Sequence, residues 1–166
     1  MPILKLIGES RIGRVIAVVS EYSTAPTLSQ RLIQPGLPDL REEAFFVLVL
    51  AEALEYAGRQ LMIHGNLTPS HILIGDDGKP RITGFGLANL ECGPDVSCAT
   101  VRVYVAPELL RVQGTRPSAQ TDVYSLGVIL YKLLTGVLPD RDPGNEKPQS
   151  PQAINPVVPE IGRAHV

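Results

Sequence analysis

Apolar residues fall at strand spacing near the start of the chain. Leu4-Lys5-Leu6-Ile7-Gly8 and Arg14-Val15-Ile16-Ala17-Val18-Val19 are short runs rich in β-branched side chains, separated by polar residues that include glycine. Such a pair predicts a strand hairpin. Thr27-Leu28-Ser29-Gln30-Arg31-Leu32-Ile33 predicts a short helix stopped by Pro35-Gly36, after which Asp39 can cap a longer one. From Arg41 to Arg59 the apolar residues Phe45, Leu48, Val49, Ala53, Leu54, Tyr56 and Ala57 recur at helical spacing, with Glu42, Glu43 and Glu52 among the polar positions. Gly58 is expected to mark the end of that helix, and Leu61-Met62-Ile63 to carry the chain into a buried crossing.

Further along, Ile72 to Thr83 predicts a second hairpin, because Asp77-Gly78 supplies turn chemistry between two apolar runs. A second strong helix is expected from Asp122 to about Leu134, capped by Thr121 or Asp122 and ended by Gly136. Its face of Leu126, Ile129, Leu130, Leu133 and Leu134 is apolar enough to be central. After Pro139 the chain turns rich in Pro, Asn, Gln and Asp without periodicity, which predicts loop or disorder over 141–159. Residues 160–166 resemble a translated sequencing-adapter read-through and are expected to be a processing scar, the natural gene continuing past about Pro159. The organisation expected is one α+β, mainly α-helical domain over 1–140, followed by these two segments.

Composition narrows the classes. A chain of 166 residues with 44% hydrophobic and 19% charged residues has enough apolar material for one folded core, which argues against wholesale disorder. The net charge of -2 provides no basic field for nucleic acid or an anionic membrane. No apolar run reaches the ~18 residues that a membrane span needs, and no signal-peptide pattern opens the chain, so a cytoplasmic location is expected. Cys92 and Cys98 lack a second pair or a nearby His to complete a zinc site and read as reduced thiols.

The candidate chemistry lies in His64-Gly65-Asn66-Leu67-Thr68-Pro69-Ser70-His71, Gly84-Phe85-Gly86, Ala106-Pro107-Glu108 and Thr121-Asp122-Val123-Tyr124-Ser125-Leu126-Gly127-Val128, with Glu21-Tyr22 upstream. In order and spacing these segments resemble the C-terminal lobe of a protein kinase of the bacterial serine/threonine type: its catalytic loop, DFG turn, APE motif and buried central helix, preceded by the interlobe hinge. The resemblance covers about residues 2 to 140. It implies a kinase-like fold carrying a remnant strand hairpin of the smaller lobe and incomplete at both ends. It also implies that Glu21, Ser23 and Leu73 lie at nucleotide-binding positions, with Ser20 beside the hinge. His64, Phe85, Glu108 and Asp122 match structural positions.

Phosphoryl transfer needs phosphates positioned, their charge neutralised, and a group to take the substrate proton. At the proton-acceptor position stands Asn66, whose amide offers no basic lone pair. Thr68 replaces the cation that would neutralise the transferring phosphate. Gly84 and His71 occupy the two metal-ligand positions, where Mg²⁺ calls for hard oxygen donors. The simplest roles for the two histidines are a satisfied core residue for His64 and a tolerated loop residue for His71, with a repurposed ligand as the alternative at 71. Asp76 and Asp77 belong to the hairpin turn. Ser97 and Thr100 lie where the resemblance puts an activation loop, with Val101 at the place where the family usually has Thr.

The function expected is that of a catalytically inactive kinase-like module, a pseudokinase that acts through a protein partner. It needs no confident cofactor, and neither nucleic acid nor membrane enters. The alternative is an ATP-dependent serine/threonine kinase using ATP and Mg²⁺, with a protein substrate. A chain whose exposed apolar faces prevent it from folding alone is a third possibility.

Overall fold

The computed structural model describes residues 3, 6–12, 15–20, 22–33, 39–85, 102–111, 114–140 and 148–159. The chain opens with an antiparallel hairpin of β1 (Leu6–Ile12) and β2 (Val15–Ser20), whose register runs from Leu6 opposite Ser20 to Ile12 opposite Val15, with a bulge between Leu6 and Gly8. A one-turn helix α1 (Leu28–Arg31) follows, closed by a reciprocal cap. The Gln30 N–H donates to Thr27 Oγ1 at 3.2 Å while the Thr27 N–H donates to Gln30 Oε1 at 2.8 Å.

Helix α2 (Leu40–Arg59) begins where the sequence places it, with the Arg41 N–H donating to Asp39 Oδ1 at 2.8 Å. Its end differs from expectation. Gly58 lies inside the helix, Gln60 is the cap, and Leu61 takes the left-handed φ of +59°. Leu61 itself is 93% exposed, and the run carries the chain to a buried stretch that holds His64, Leu67 and Thr68. The buried face of α2 agrees with the expected one at Ala53 and Ala57 and differs elsewhere: Phe46 and Leu50 point inward, while Phe45, Leu48 and Tyr56 face solvent. The helix is apolar on both sides, so periodicity alone leaves its rotation open, and packing against α4 (Ala119–Thr135) and the second hairpin settles it.

That hairpin joins β3 (Ile72–Ile74) to β4 (Pro80–Ile82), and a one-turn 3-10 helix (Pro69–His71) leads into β3. At the turn Gly78 has φ +73°, where only glycine is unstrained, and Asp77 Oδ1 accepts the Lys79 N–H at 3.1 Å. Asp77 thus serves the turn.

A short helix α3 (Pro107–Arg111) precedes α4. The start of α4 is earlier than the sequence suggested: Ser118 is the cap, its N–H donating to Thr121 Oγ1 at 3.1 Å. Gly136 ends the helix with φ +75°, donating its N–H to the Lys132 carbonyl at 2.9 Å. Beyond Pro139, the expected loop contains a one-turn helix α5 (Pro151–Ile154) docked on α4. Asn155 Nδ2 donates to the Leu134 carbonyl at 2.8 Å, the Tyr131 hydroxyl donates to the Gln149 carbonyl at 3.0 Å, and Val158 is buried. Four residues are too few to show a period, and the only local signals are Ser150 as cap and Pro151 in the first turn.

The fold is α+β and mainly helical. Its core gathers Leu28, Phe46, Leu50, Leu67, Ile72, Ile82, Leu126 and Ile129 between α2, α4 and the second hairpin. Among the described residues no helix is long and apolar enough to cross a membrane.

Candidate functional site

The loop from His64 to His71 runs over this core and is tied down at both ends. At the first, the Asp122 carboxylate in the opening turn of α4 accepts the His64 N–H at 2.8 Å on Oδ2 and the Gly65 N–H at 2.7 Å on Oδ1. Gly65 sits at φ +74°, which aims its N–H at that carboxylate without side-chain strain. Asp122 is only 4% exposed, and burial pushes its carboxyl up from the ordinary range while the two amide N–H groups act in the opposite sense.

His64 is 1% exposed. Its Nδ1 accepts the Asn66 N–H at 3.3 Å, so the ring proton belongs on Nε2, which donates to the Thr83 carbonyl at 2.9 Å. The ring meets Phe85 edge to face at 5.0 Å between centroids and the His71 ring at 5.2 Å. Nε2 thus ties the loop to the segment after β4, and Nδ1 holds the loop's own Asn66 backbone.

At the second end, the His71 N–H donates to the Thr68 carbonyl, the His71 carbonyl accepts the Thr83 N–H, and His71 Nδ1 lies 3.1 Å from Thr68 Oγ1. Thr68 is buried and leads into the 3-10 helix, while Asn66 is half-buried between the two anchor points. Gly84 follows Thr83 with φ +86° and places its backbone against the His71 ring. Asn66, Thr68, His71 and Gly84 thus converge on one small region around the buried His64.

The other positions fall nearby or apart. A bridge between Thr27 and Leu73, with the Ile74 N–H donating to the Pro26 carbonyl at 2.8 Å, ties the segment carrying Ser23 to β3, which carries half-buried Leu73. Ser23 Oγ accepts the Ala25 N–H at 3.1 Å. Glu108 is exposed in the first turn of α3 and makes no ion pair among the described residues. Glu21, Gly86, Cys92, Ser97, Cys98, Thr100, Val101 and residues 160–166 lie outside the described residues.

A family model for the protein kinase domain matches residues 2–157. The chain belongs to the protein kinase family. Similar proteins include the serine/threonine-protein kinase PknK of Mycobacterium tuberculosis, 34% identical over 122 residues that are 72% of this chain and 11% of that protein. A probable serine/threonine-protein kinase of Clostridium acetobutylicum is 28% identical over 76% of this chain and 20% of its own length. The human ribosomal protein S6 kinase alpha-3 is 32% identical over 82% and 19% respectively. The chain therefore spans a fifth or less of the length of these relatives.

Kinase chemistry implies a magnesium ion held by oxygen donors, and the residues present do not fit one. Gly84 has no side chain, His71 offers imidazole nitrogen with Nδ1 already beside Thr68, and no group of three or more His, Cys, Asp or Glu forms a metal cluster among the described residues. A polar residue that sequence reasoning misplaced lies outside this site. Glu43, placed among the polar positions of α2, is 2% exposed and pairs with Arg31 of α1, whose guanidinium also lies 5.5 Å from the centre of the Phe46 ring. Burial, more than the neighbouring Glu42, pushes the Glu43 carboxyl up, and Arg31 opposes it.

Proposed function

We propose that this kinase-family chain is a pseudokinase that acts as a binding or regulatory module through a protein partner and does not transfer phosphate itself. The supporting observation is the convergence of Asn66, Thr68, His71 and Gly84 on one place, with an amide rather than a base at the proton-acceptor position and, among the described residues, no oxygen donor set for magnesium. The framework around them is well satisfied: His64, Phe85 and Asp122 hold the loop through ring contacts and hydrogen bonds. Loss of general-base catalysis alone lowers a rate by on the order of 10² to 10⁴, and loss of metal stabilisation adds to it. A cytoplasmic setting fits this reading, and neither nucleic acid nor a membrane enters it.

The second reading, an ATP-dependent serine/threonine kinase acting on a protein substrate, draws on the names of the relatives. Ser23 and Leu73 are the described positions that would then meet nucleotide. Incubation with Mg-ATP and a generic protein substrate separates the two. Background incorporation, unchanged by Asn66→Ala, agrees with the pseudokinase reading. Incorporation that vanishes on Asn66→Ala establishes the kinase reading in its place.

A further inference from the structure

Position 84 is more than a missing carboxylate. A Cβ built on Gly84 would lie 3.0 Å from His71 Cδ2, with Cγ and Nε2 of the same ring at 3.6 Å. His71 has little freedom to give way. Its backbone is bonded at both N–H and carbonyl, its Nδ1 lies beside Thr68 Oγ1, and its ring tilts against the buried ring of His64.

We propose that the His71 imidazole fills the volume a side chain at 84 would need, so that the two metal-position changes form one coupled replacement that plugs the cation seat. Neither can then be reversed alone. An aspartate at 84 sets its Cβ 3.0 Å from His71 Cδ2 and requires the anchored ring to shift, while asparagine at 71 removes the ring that Gly84 packs against. The naming of this volume as a cation seat rests on the reading above; the steric coupling of 71 and 84 does not.

The coupling is measured by a double-mutant cycle on thermal unfolding of the chain, using Gly84→Ala, His71→Ala and the double variant. The left-handed φ at 84 strains alanine in both backgrounds and cancels, leaving the contact with the ring. Overpacking of this kind implies that Gly84→Ala lowers the melting temperature by roughly 3–8 °C more when His71 is present than when it is absent. Equal losses in the two backgrounds overturn the proposal. The unsubstituted chain supplies an independent readout: a nuclear Overhauser contact between the His71 Hδ2 and the Gly84 α-protons is expected, and its absence also overturns the plug.

Millimolar Mg²⁺ provides a further arm. It is expected to raise the melting temperature of Gly84→Asp/His71→Asn and of neither single variant. Stabilisation of Gly84→Asp alone, to the same extent as the double variant, contradicts the plug. Stabilisation of the unsubstituted chain by Mg²⁺ contradicts the pseudokinase reading instead, and the alanine cycle is unaffected by it.

Discussion

At the scale of single residues, the loop from His64 to His71 depends on one carboxylate. Asp122 accepts the buried His64 N–H and the partly buried Gly65 N–H, and losing it leaves both without this acceptor. Asp122→Ala is expected to destabilise the chain by about 2–5 kcal/mol in urea unfolding. A loss below ~1 kcal/mol contradicts the anchoring role. Asp122 was legible in the sequence because it stands at a fixed place in the kinase pattern. Glu43 was not: it adjoins Glu42, and the helical period places both on a polar side. What buries it is Arg31, twelve residues earlier on another helix, and no local pattern reports that pairing. The contact of Gly84 with His71 was hidden for the same reason, since it arises only when the second hairpin folds back and joins Thr83 to His71.

At the scale of elements, two expected ends are found, the Asp39 cap of α2 and the Gly136 end of α4, and two are displaced, the start of α4 to Ser118 and the end of α2 to Gln60. Asp39 caps α2 as expected because its side-chain oxygen reaches the Arg41 N–H in the first turn. Gly58 and Gly136 look alike in sequence, yet only Gly136 has a positive φ. The two therefore respond oppositely to alanine. Gly58→Ala adds a methyl that meets nothing within 4 Å inside a helix and is expected to stabilise by about 0.5–1 kcal/mol. Gly136→Ala also meets nothing but forces alanine into the left-handed region, and is expected to cost roughly 1–2 kcal/mol. Denaturant midpoints of the two variants check this, and shifts of the same sign contradict the assigned end of α2. Composition hid the docking of the last described segment, where Asn155 and Tyr131 supply contacts that a polar, proline-rich stretch does not announce.

At the scale of the whole molecule, two buried carboxyls shape the response to pH. Glu43 and Asp122 are both held above their ordinary values of 4.5 and 3.8, so the folded chain binds these protons more tightly than the unfolded one. Their contribution to stability is full below those ordinary values and is lost as pH rises through the raised ones. Glu43→Gln removes one such group and is expected to flatten the decline in stability above pH 4.5; a steeper decline contradicts the direction of the shift. The existence of α2, α4 and the second hairpin is readable from periodicity and turn chemistry, and the family resemblance implies their arrangement. The rotation of α2 and the coupling inside the loop are not readable, because both are decided by packing between distant segments. The central claim is that this kinase-family framework lacks the groups that engage metal-bound phosphate. Thermal unfolding with ATP, in the presence and absence of Mg²⁺, tests it most directly. No Mg²⁺-dependent rise in melting temperature is expected, and a large rise that requires both ATP and Mg²⁺ contradicts the account.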